Sequence, residues 1–132
     1  MRVMLDTNVF ISMIFFPSVQ TRELARRLTE NHQIVVCDYV IEELRLVTER
    51  KFPAKRKFLD RFFLELPFEL VYTPKVLDLS EFPEMRDTKD SPILATAIME
   101  GIDVFVTGDK DFLVLDVDMP EIVTMAAFLE QY

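Results

Sequence analysis

The chain has 132 residues, of which 50% are hydrophobic and 29% are charged, so we predict one globular domain over residues 1–132. The single cysteine, Cys37, excludes an internal disulfide and a cysteine-based zinc site, and the two glycines exclude a glycine-rich phosphate loop. The net charge is −8, no apolar run is long enough to cross a bilayer and no signal peptide is recognisable, so we expect a cytoplasmic protein without membrane contact.

The first half of the chain alternates short apolar runs with amphipathic segments. The apolar runs have the length of buried strands, and the amphipathic segments carry apolar residues at helical spacing. Ser18 and Asp38 stand where a residue that caps a helix is expected, and His32 is expected at the surface. The predicted strands are at 3–5 and 34–37. The predicted helices are at 8–16, 19–31, 39–51 and 54–65.

The second half begins with a predicted strand at 70–72 and a loop over 73–89. Asp90 is predicted to open a helix, because Pro92 would then lie in the first turn, where its missing N–H has no partner. Gly101 is predicted to end this helix, since glycine readily adopts the left-handed conformation that closes one. The remaining predicted elements are a strand at 104–107, a helical turn near 110–115, a strand near 122–123 and a helix over 126–129.

Short, fully apolar strands that alternate with helices are typical of a parallel sheet covered on both faces. We therefore predict an α/β fold, a three-layer α/β/α sandwich with a central, mainly parallel sheet. In open sheets of this kind, functional sites form at the carboxyl ends of the strands.

Four acidic residues are predicted to meet at this edge of the sheet. Asp6 directly follows the first strand, and Asp109 follows the fourth strand after one glycine. Glu43 lies about one turn into the helix after the second strand. Asp90 lies at a helix N-terminus, where the helix dipole is expected to keep its carboxylate ionised. Converging carboxylates repel one another, and a hard divalent cation such as Mg²⁺ or Mn²⁺ relieves that repulsion.

Each acid also has an ordinary structural interpretation. Asp6 and Asp90 could cap the helices that follow them, because aspartate is favoured at that position. Glu43 could be one exposed acid beside Glu42, and Asp109 could belong to a turn. The positions of the acids, taken singly, leave these interpretations open.

Four segments around these acids resemble the PIN domain family in order and spacing. The similarity spans nearly the whole chain, from Val3 to about Val123, and the LDTN tetrapeptide at 5–8 is its most distinctive part. Within the family, the chain is most similar to the VapC-like toxin components of prokaryotic toxin–antitoxin pairs. The segments are MLDTNV at 4–9, VIEEL at 40–44, DTKD at 87–90 with ILATA at 93–97, and VTGDKDF at 106–112.

The resemblance implies a ribonuclease that depends on Mg²⁺ or Mn²⁺, which activates water for attack on phosphorus and leaves a 5′-phosphate. Asn8 and Thr107 match residues that support such a site. The residues implied to bind the metal and to act in catalysis are Asp6, Glu43, Asp90 and Asp109.

Three of these assignments have a neighbouring competitor. Glu43 is preferred to Glu42, because the family's glutamate directly precedes a leucine. Asp90 is preferred to Asp87 by its distance from the ILATA helix. Asp111 could replace or assist Asp109, and that choice stays open.

Residues 45–61 carry seven basic and two acidic side chains, a net charge of +5 that leaves −13 for the rest of the chain. A basic segment near an acidic metal site could bind a phosphate backbone, or it could be an ordinary solvated helix face. The residues predicted to bind substrate are Arg50, Lys51, Lys55, Arg56 and Lys57.

The resemblance also implies partners, namely an RNA substrate, an antitoxin protein and a second copy of the chain. A homodimer would use the apolar helix 8–16 or the phenylalanine-rich helix 54–65. Two other functions stay open: a non-catalytic binding module that keeps the fold, and an RNA-processing nuclease without an antitoxin. The retained acids argue against the first, and the sequence does not separate the second from a toxin.

Overall fold

A five-stranded sheet lies at the centre of the structure, a computed structural model that describes residues 1–75 and 78–132. Every neighbouring pair of strands in it runs parallel. The strands are β1 (Arg2–Leu5), β2 (Gln33–Cys37), β3 (Phe68–Val71), β4 (Val104–Val106) and β5 (Glu121–Val123). Their order across the sheet is β3-β2-β1-β4-β5.

Strand β1 occupies the middle of the sheet, and its apolar composition explains why. Val3, Met4 and Leu5 are at most 1% exposed, so both faces of the strand are covered. Val3 pairs with Ile34 of β2 on one side and with Val104 of β4 on the other. A strand held on both faces and both edges gives the residue that follows it a well-defined position.

Helices cover both faces of the sheet, which confirms the predicted three-layer α/β/α sandwich. Ser18 caps the second helix as predicted, because its hydroxyl accepts the backbone N–H of Thr21. Gly101, with φ of 63°, follows the fifth helix in the left-handed conformation that favours glycine. In the described residues the helices are α1 (Thr7–Phe15), α2 (Val19–Asn31), α3 (Asp38–Lys51), α4 (Arg56–Glu65), α5 (Ser91–Met99), α6 (Lys110–Leu113) and α7 (Met125–Gln131).

The segment between β3 and α5 is mostly irregular, as predicted for 73–89. It contains two short 3₁₀ turns, Leu79–Glu81 and Thr88–Asp90. Val76 and Leu77, which the loop prediction includes, lie outside the described residues. The second 3₁₀ turn runs directly into α5, so it determines where Asp90 is presented.

Two residues lie elsewhere than the sequence indicated. His32 is half-buried rather than at the surface, and its ring meets Phe128 edge-on at a centroid distance of 5.6 Å. Burial lowers the pKa of this imidazole. Asp38 is the first residue of α3 rather than the residue before it, and its carboxylate accepts the backbone N–H of Thr73 at 2.8 Å. Asp38 therefore ties α3 to the chain that leaves β3.

The phenylalanine-rich helix α4 packs partly inside the chain. The Phe10 ring of α1 meets Phe62 at a centroid distance of 6.1 Å and Phe63 at 5.5 Å. Phe58 and Leu64 stay exposed, so α4 keeps apolar surface beyond what the core covers. The homodimer stays a prediction. Within the two described ranges, none of the helices combines the length and apolar character needed to cross a bilayer.

Candidate functional site

Asp6 lies at the carboxyl end of β1 and is 3% exposed. Its backbone N–H continues the sheet by donating to the Val106 carbonyl at 3.0 Å. Asp6 occupies the N-cap position of α1, but its side chain makes no capping hydrogen bond among the residues that the structure describes. Its carboxylate instead accepts the hydroxyl of Thr107 at 2.9 Å. The interpretation of Asp6 as a simple helix cap is therefore wrong.

Thr107, directly after β4, links two of the predicted acids. Its hydroxyl donates to Oδ2 of Asp6 and accepts the backbone N–H of Asp109 at 3.0 Å. The Asp109 carboxylate in turn accepts the N–H of Asp111 at 2.9 Å, which caps the short helix α6. A chain of hydrogen bonds therefore joins the ends of the neighbouring strands β1 and β4.

Asp90 is the last residue of the 3₁₀ turn that precedes α5, and its side chain makes no capping hydrogen bond within the described part of the chain. Asp87 closes that turn, because its carboxylate accepts the N–H of Lys89 at 3.0 Å. The Tyr39 hydroxyl of α3 donates to the Lys89 carbonyl at 2.7 Å and holds the turn against α3. Asp87 thus shapes the turn, whereas Asp90 faces the other acids.

Three carboxylates lie at metal-ligand spacing. One oxygen from each of Asp90, Asp109 and Asp111 lies within 4.8 Å of the other two. All three residues are half-buried. Asp111 therefore lies with the predicted acids and does not displace Asp109 from them.

Burial and mutual repulsion raise the pKa of two carboxylates in this region. The pKa of Asp6 rises to about 6, chiefly because the group is buried and further because Asp109 and Glu43 are near; the Thr107 hydrogen bond opposes this. The pKa of Asp90 rises to about 7, first through burial and then through Asp6 and Asp87. Without a cation, burial and like charges therefore outweigh the helix dipole, which was expected to favour the ionised form of Asp90.

The donor set fits a divalent cation that prefers oxygen. Asp90, Asp109 and Asp111 supply hard carboxylate oxygens at a spacing that one ion can bridge. The buried hydroxyl of Thr7, next to Asp6, has no hydrogen-bond partner in the described residues, and such an orphan is expected where an ion or its water completes a site. A bound cation would also return the raised pKa values of Asp6 and Asp90 toward the acidic range.

Glu43 lies on α3, half-buried, and its charge contributes to the raised pKa values of Asp6, Asp90 and Tyr39. Glu42 is exposed and pairs with Arg45 at 3.3 Å. The structure therefore brings Glu43 toward the acids and leaves its competitor at the surface.

The other predicted site residues are spread over a wider area. Asn8 is exposed and lines a separate small groove with Gly108, so the structure gives its side chain no hydrogen bond to the acids in the described residues. Among the predicted substrate-binding residues, Arg50 lines a groove with Glu43. Lys55 lies over the Phe16 ring. Lys51 and Lys57 are exposed on α3 and α4, and Arg56 pairs with Glu49 at 3.5 Å.

Two contacts at the site do not follow from any pattern in the sequence. Tyr39 links α3 to the turn that carries Asp90. Arg86, 87% exposed, places its Nε 3.2 Å from a carboxylate oxygen of Asp111 and brings a positive charge to the rim of the acid group. Neither residue follows a periodic pattern, and only the position of Arg86 just before the DTKD segment could have drawn attention to it.

Replacing Thr107 with valine is expected to weaken Mn²⁺ binding by about 10- to 100-fold, because partners that orient metal ligands have effects of that size. Valine keeps the shape of the side chain but removes the hydroxyl shared by Asp6 and Asp109. Calorimetric titration with Mn²⁺ measures the change.

Thr48→Val is the matched control, since Thr48 is also buried and its hydroxyl donates only to the Leu44 carbonyl of its own helix. Equal losses in the two variants would mean that Thr107 acts through general stability rather than through the acids.

Comparisons with known proteins give a consistent classification. The family model described as the PIN domain matches residues 3–118. Among solved structures, a chain of the crystal structure of VapBC2 from Rickettsia felis bound to a DNA fragment from their promoter superposes with a TM-score of 0.71. It is 21% identical, and the alignment covers 93% of this chain and 97% of that chain. That similarity concerns the fold. No curated protein sequence matches the chain.

Proposed function

The chain belongs to the PIN domain family, and from that premise we propose that it is a metal-dependent endoribonuclease that hydrolyses RNA phosphodiester bonds. One observation carries the proposal: Asp90, Asp109 and Asp111 lie at metal-ligand spacing at the carboxyl edge of the sheet. Buried Asp6 and half-buried Glu43 add negative charge at the same place. A purely structural role would not require a site whose carboxylates repel one another in this way.

The chain's own residues hold and orient the metal ligands. Asp90, Asp109 and Asp111 would bind the cation, with Asp6 and Glu43 as further ligands, directly or through water. When bound, Mg²⁺ or Mn²⁺ supplies a Lewis acid that activates water and neutralises charge on the phosphodiester. Thr107 fixes the carboxylate of Asp6, and Tyr39 fixes the turn that presents Asp90. The expected product carries a 5′-phosphate.

Among the described residues, Arg86 is the only cation that forms an ion pair with this acid group. Its guanidinium is exposed and can exchange Asp111 for a phosphate oxygen, which it binds with similar geometry. We therefore place Arg86 at the rim of the site, facing the substrate.

The biological setting is part of the same proposal. The chain would act in the cytoplasm as the toxin of a toxin–antitoxin pair, with an antitoxin protein and a second copy of the chain as partners. The fold similarity to a chain of VapBC2 from Rickettsia felis supports this assignment. A small basic protein encoded beside this chain would support it further.

The proposal predicts that purified protein cuts single-stranded RNA only when Mg²⁺ or Mn²⁺ is present. The measurement is cleavage of defined RNAs with and without EDTA, together with mapping of the new 5′ ends. New 5′-phosphate ends that appear only with the metal are the expected result. Binding of RNA without cleavage in either metal would favour a non-catalytic module, and cleavage that EDTA leaves unchanged would contradict the assigned chemistry.

A further inference from the structure

A groove runs along α3 away from the acid site. It has a volume of about 410 Å³. One end contains Glu43 and Lys89, the residue before Asp90, so the groove opens directly from the acids. Its lining residues are Tyr39, Glu42, Glu43, Leu46, Val47, Arg50 and Lys89, and we call it the α3 groove.

Two cations of the α3 groove are free to bind an anion. Arg50 and Lys89 form no salt bridge with any residue in the described ranges. By contrast, Arg45, Arg56 and Arg61 each pair with an acid, at 3.3, 3.5 and 3.7 Å respectively. A cation without an acidic partner keeps its attraction for phosphate, whereas a paired one must first give up its partner. Arg50 and Lys89 therefore offer unpaired positive charge in a groove that also contains Glu42 and Glu43. The other unpaired cations of the basic segment in the described ranges, Lys51, Lys55 and Lys57, do not line it.

The spacing along α3 relates these cations to the acids. Glu43, Leu46 or Val47, and Arg50 follow one another at three- and four-residue intervals, which places them on the same face of the helix. Seven residues of helix span about 10 Å, so Arg50 lies about that far from Glu43 along the axis. Arg50 thus lies about two helical turns from Glu43, which places it for a phosphate next to the one at the acids.

Apolar and aromatic surface lies between the two cations. Leu46 is 57% exposed, although it is a large apolar residue. Tyr39 also lines the groove. Its hydroxyl donates to the Lys89 carbonyl, so the aromatic ring is the part of Tyr39 that can contact a ligand in the groove. Cations that alternate with apolar or aromatic side chains match a nucleic acid strand whose bases are unpaired.

We propose that the α3 groove binds the single-stranded RNA beside the cut, with Arg50 and Lys89 on backbone phosphates and an unpaired base on Tyr39 and Leu46. This inference rests on the proposed ribonuclease function and adds the path that its substrate follows over the surface. It also divides the basic segment 45–61, because Arg50 belongs to the path and Lys57, on α4, does not line it.

The test measures binding without cleavage. Metal-free protein in EDTA is titrated into a fluorescent single-stranded RNA of about 12 nucleotides at several salt concentrations, a length within the usual site sizes. Arg50→Gln and Lys89→Gln are each expected to weaken binding about tenfold and to lower the slope of log affinity against log salt by about one. Leu46→Ser is expected to weaken binding without changing that slope, and duplex RNA is expected to bind at least tenfold more weakly.

Arg22→Gln is the matched control, since Arg22 is exposed and does not line the groove. Circular dichroism of every variant checks its fold. Equal weakening by this control, or unchanged binding in Arg50→Gln and Lys89→Gln, would overturn the groove assignment.

Cleavage kinetics separate this proposal from the function on which it rests. With metal present, Arg50→Gln is expected to raise KM about tenfold with kcat within about twofold, because it removes binding that is uniform between substrate and transition state. Metal-dependent cleavage with wild-type KM in Arg50→Gln and Lys89→Gln would contradict the groove proposal and support the ribonuclease function. RNA binding that depends on Arg50 and Lys89, without cleavage in any metal, would contradict the ribonuclease function and support the groove proposal.

Discussion

Asp90→Asn is expected to lower metal-dependent RNA cleavage by about a thousandfold, which corresponds to about 4 kcal/mol of transition-state stabilisation. Asp90 is central to the predicted ligand group, because its carboxylate lies within ligand spacing of both Asp109 and Asp111. Asparagine has nearly the same shape but no negative charge, so it is a far weaker ligand for a hard cation. The rate of cleavage at saturating Mn²⁺ measures the effect, and calorimetry shows whether metal affinity falls with it.

Variants of two other aspartates show whether the loss of activity is specific to Asp90. Asp118→Asn is the matched control, since Asp118 is exposed and lies outside the acid group. Asp87→Asn is expected to lose activity only about tenfold, because Asp87 acts by holding the turn that carries Asp90. If Asp87→Asn were as inactive as Asp90→Asn, or if Asp90→Asn cut RNA like the wild type, the assignment of Asp90 would be wrong.

Without a divalent cation, the acid site is expected to make the protein less stable as the pH rises from about 4 to about 8. The pKa values of Asp6 and Asp90 in the folded protein, about 6 and about 7, lie above the ordinary value of 3.8. The folded state therefore holds protons that the unfolded state has released. The stability contributed by these two groups is complete below pH 3.8 and is lost as the pH passes through 6 and 7.

For buried Asp6 the loss is at most about 3 kcal/mol, from a shift of about two pKa units. Asp90 is more exposed, and solvent screening makes its contribution smaller. Groups whose pKa is lowered, such as Glu23 beside Arg26 and Arg27, make the folded protein more stable as the pH rises. The contribution of the acid site is therefore measured as the difference in unfolding free energy between the wild type and a variant of the site.

Urea unfolding in EDTA at several pH values measures this effect. Relative to the wild type, Asp6→Asn is expected to gain stability progressively between pH 4 and pH 8. Mn²⁺ at about 100 times its dissociation constant is expected to restore about 2.7 kcal/mol to the wild type at pH 8 and little to Asp6→Asn. Parallel pH profiles for the two proteins would show that the Asp6 carboxylate is not the source.

Much of the fold could be predicted because its signals are local. Apolar strands such as Val3–Leu5 must be buried on both faces, which is enough to predict a parallel sheet between helices. Ser18 and Gly101 act within a few residues of their own position, so their roles were readable as well. His32 was misplaced, because its burial depends on the distant residues Phe128 and Tyr132.

The sequence was enough to predict which residues lie at the carboxyl edge of the sheet. It was not enough to predict which of their side chains contact one another. The carboxyl-end rule brings Asp6 and Asp109 together from sequence alone. That Thr107 bridges them, or that Asp111 joins Asp90 at ligand spacing, depends on side-chain directions over short helical turns. The raised pKa of Asp90 could not be predicted, because burial and the summed charge of its neighbours are properties of the assembled site.

The strand order β3-β2-β1-β4-β5 has a consequence for synthesis on the ribosome. Residues 1–71 contain three adjacent strands of the sheet but only two acids of the proposed site, Asp6 and Glu43. The edge of β1 that later receives β4 stays open until the last quarter of the chain emerges. Asp109 and Asp111 arrive in that same portion, so the nascent chain cannot assemble the acid group before β4 joins the sheet. Under the proposed function, the chain is therefore expected to be inactive until its translation is nearly finished, and a prematurely terminated product is expected to stay inactive.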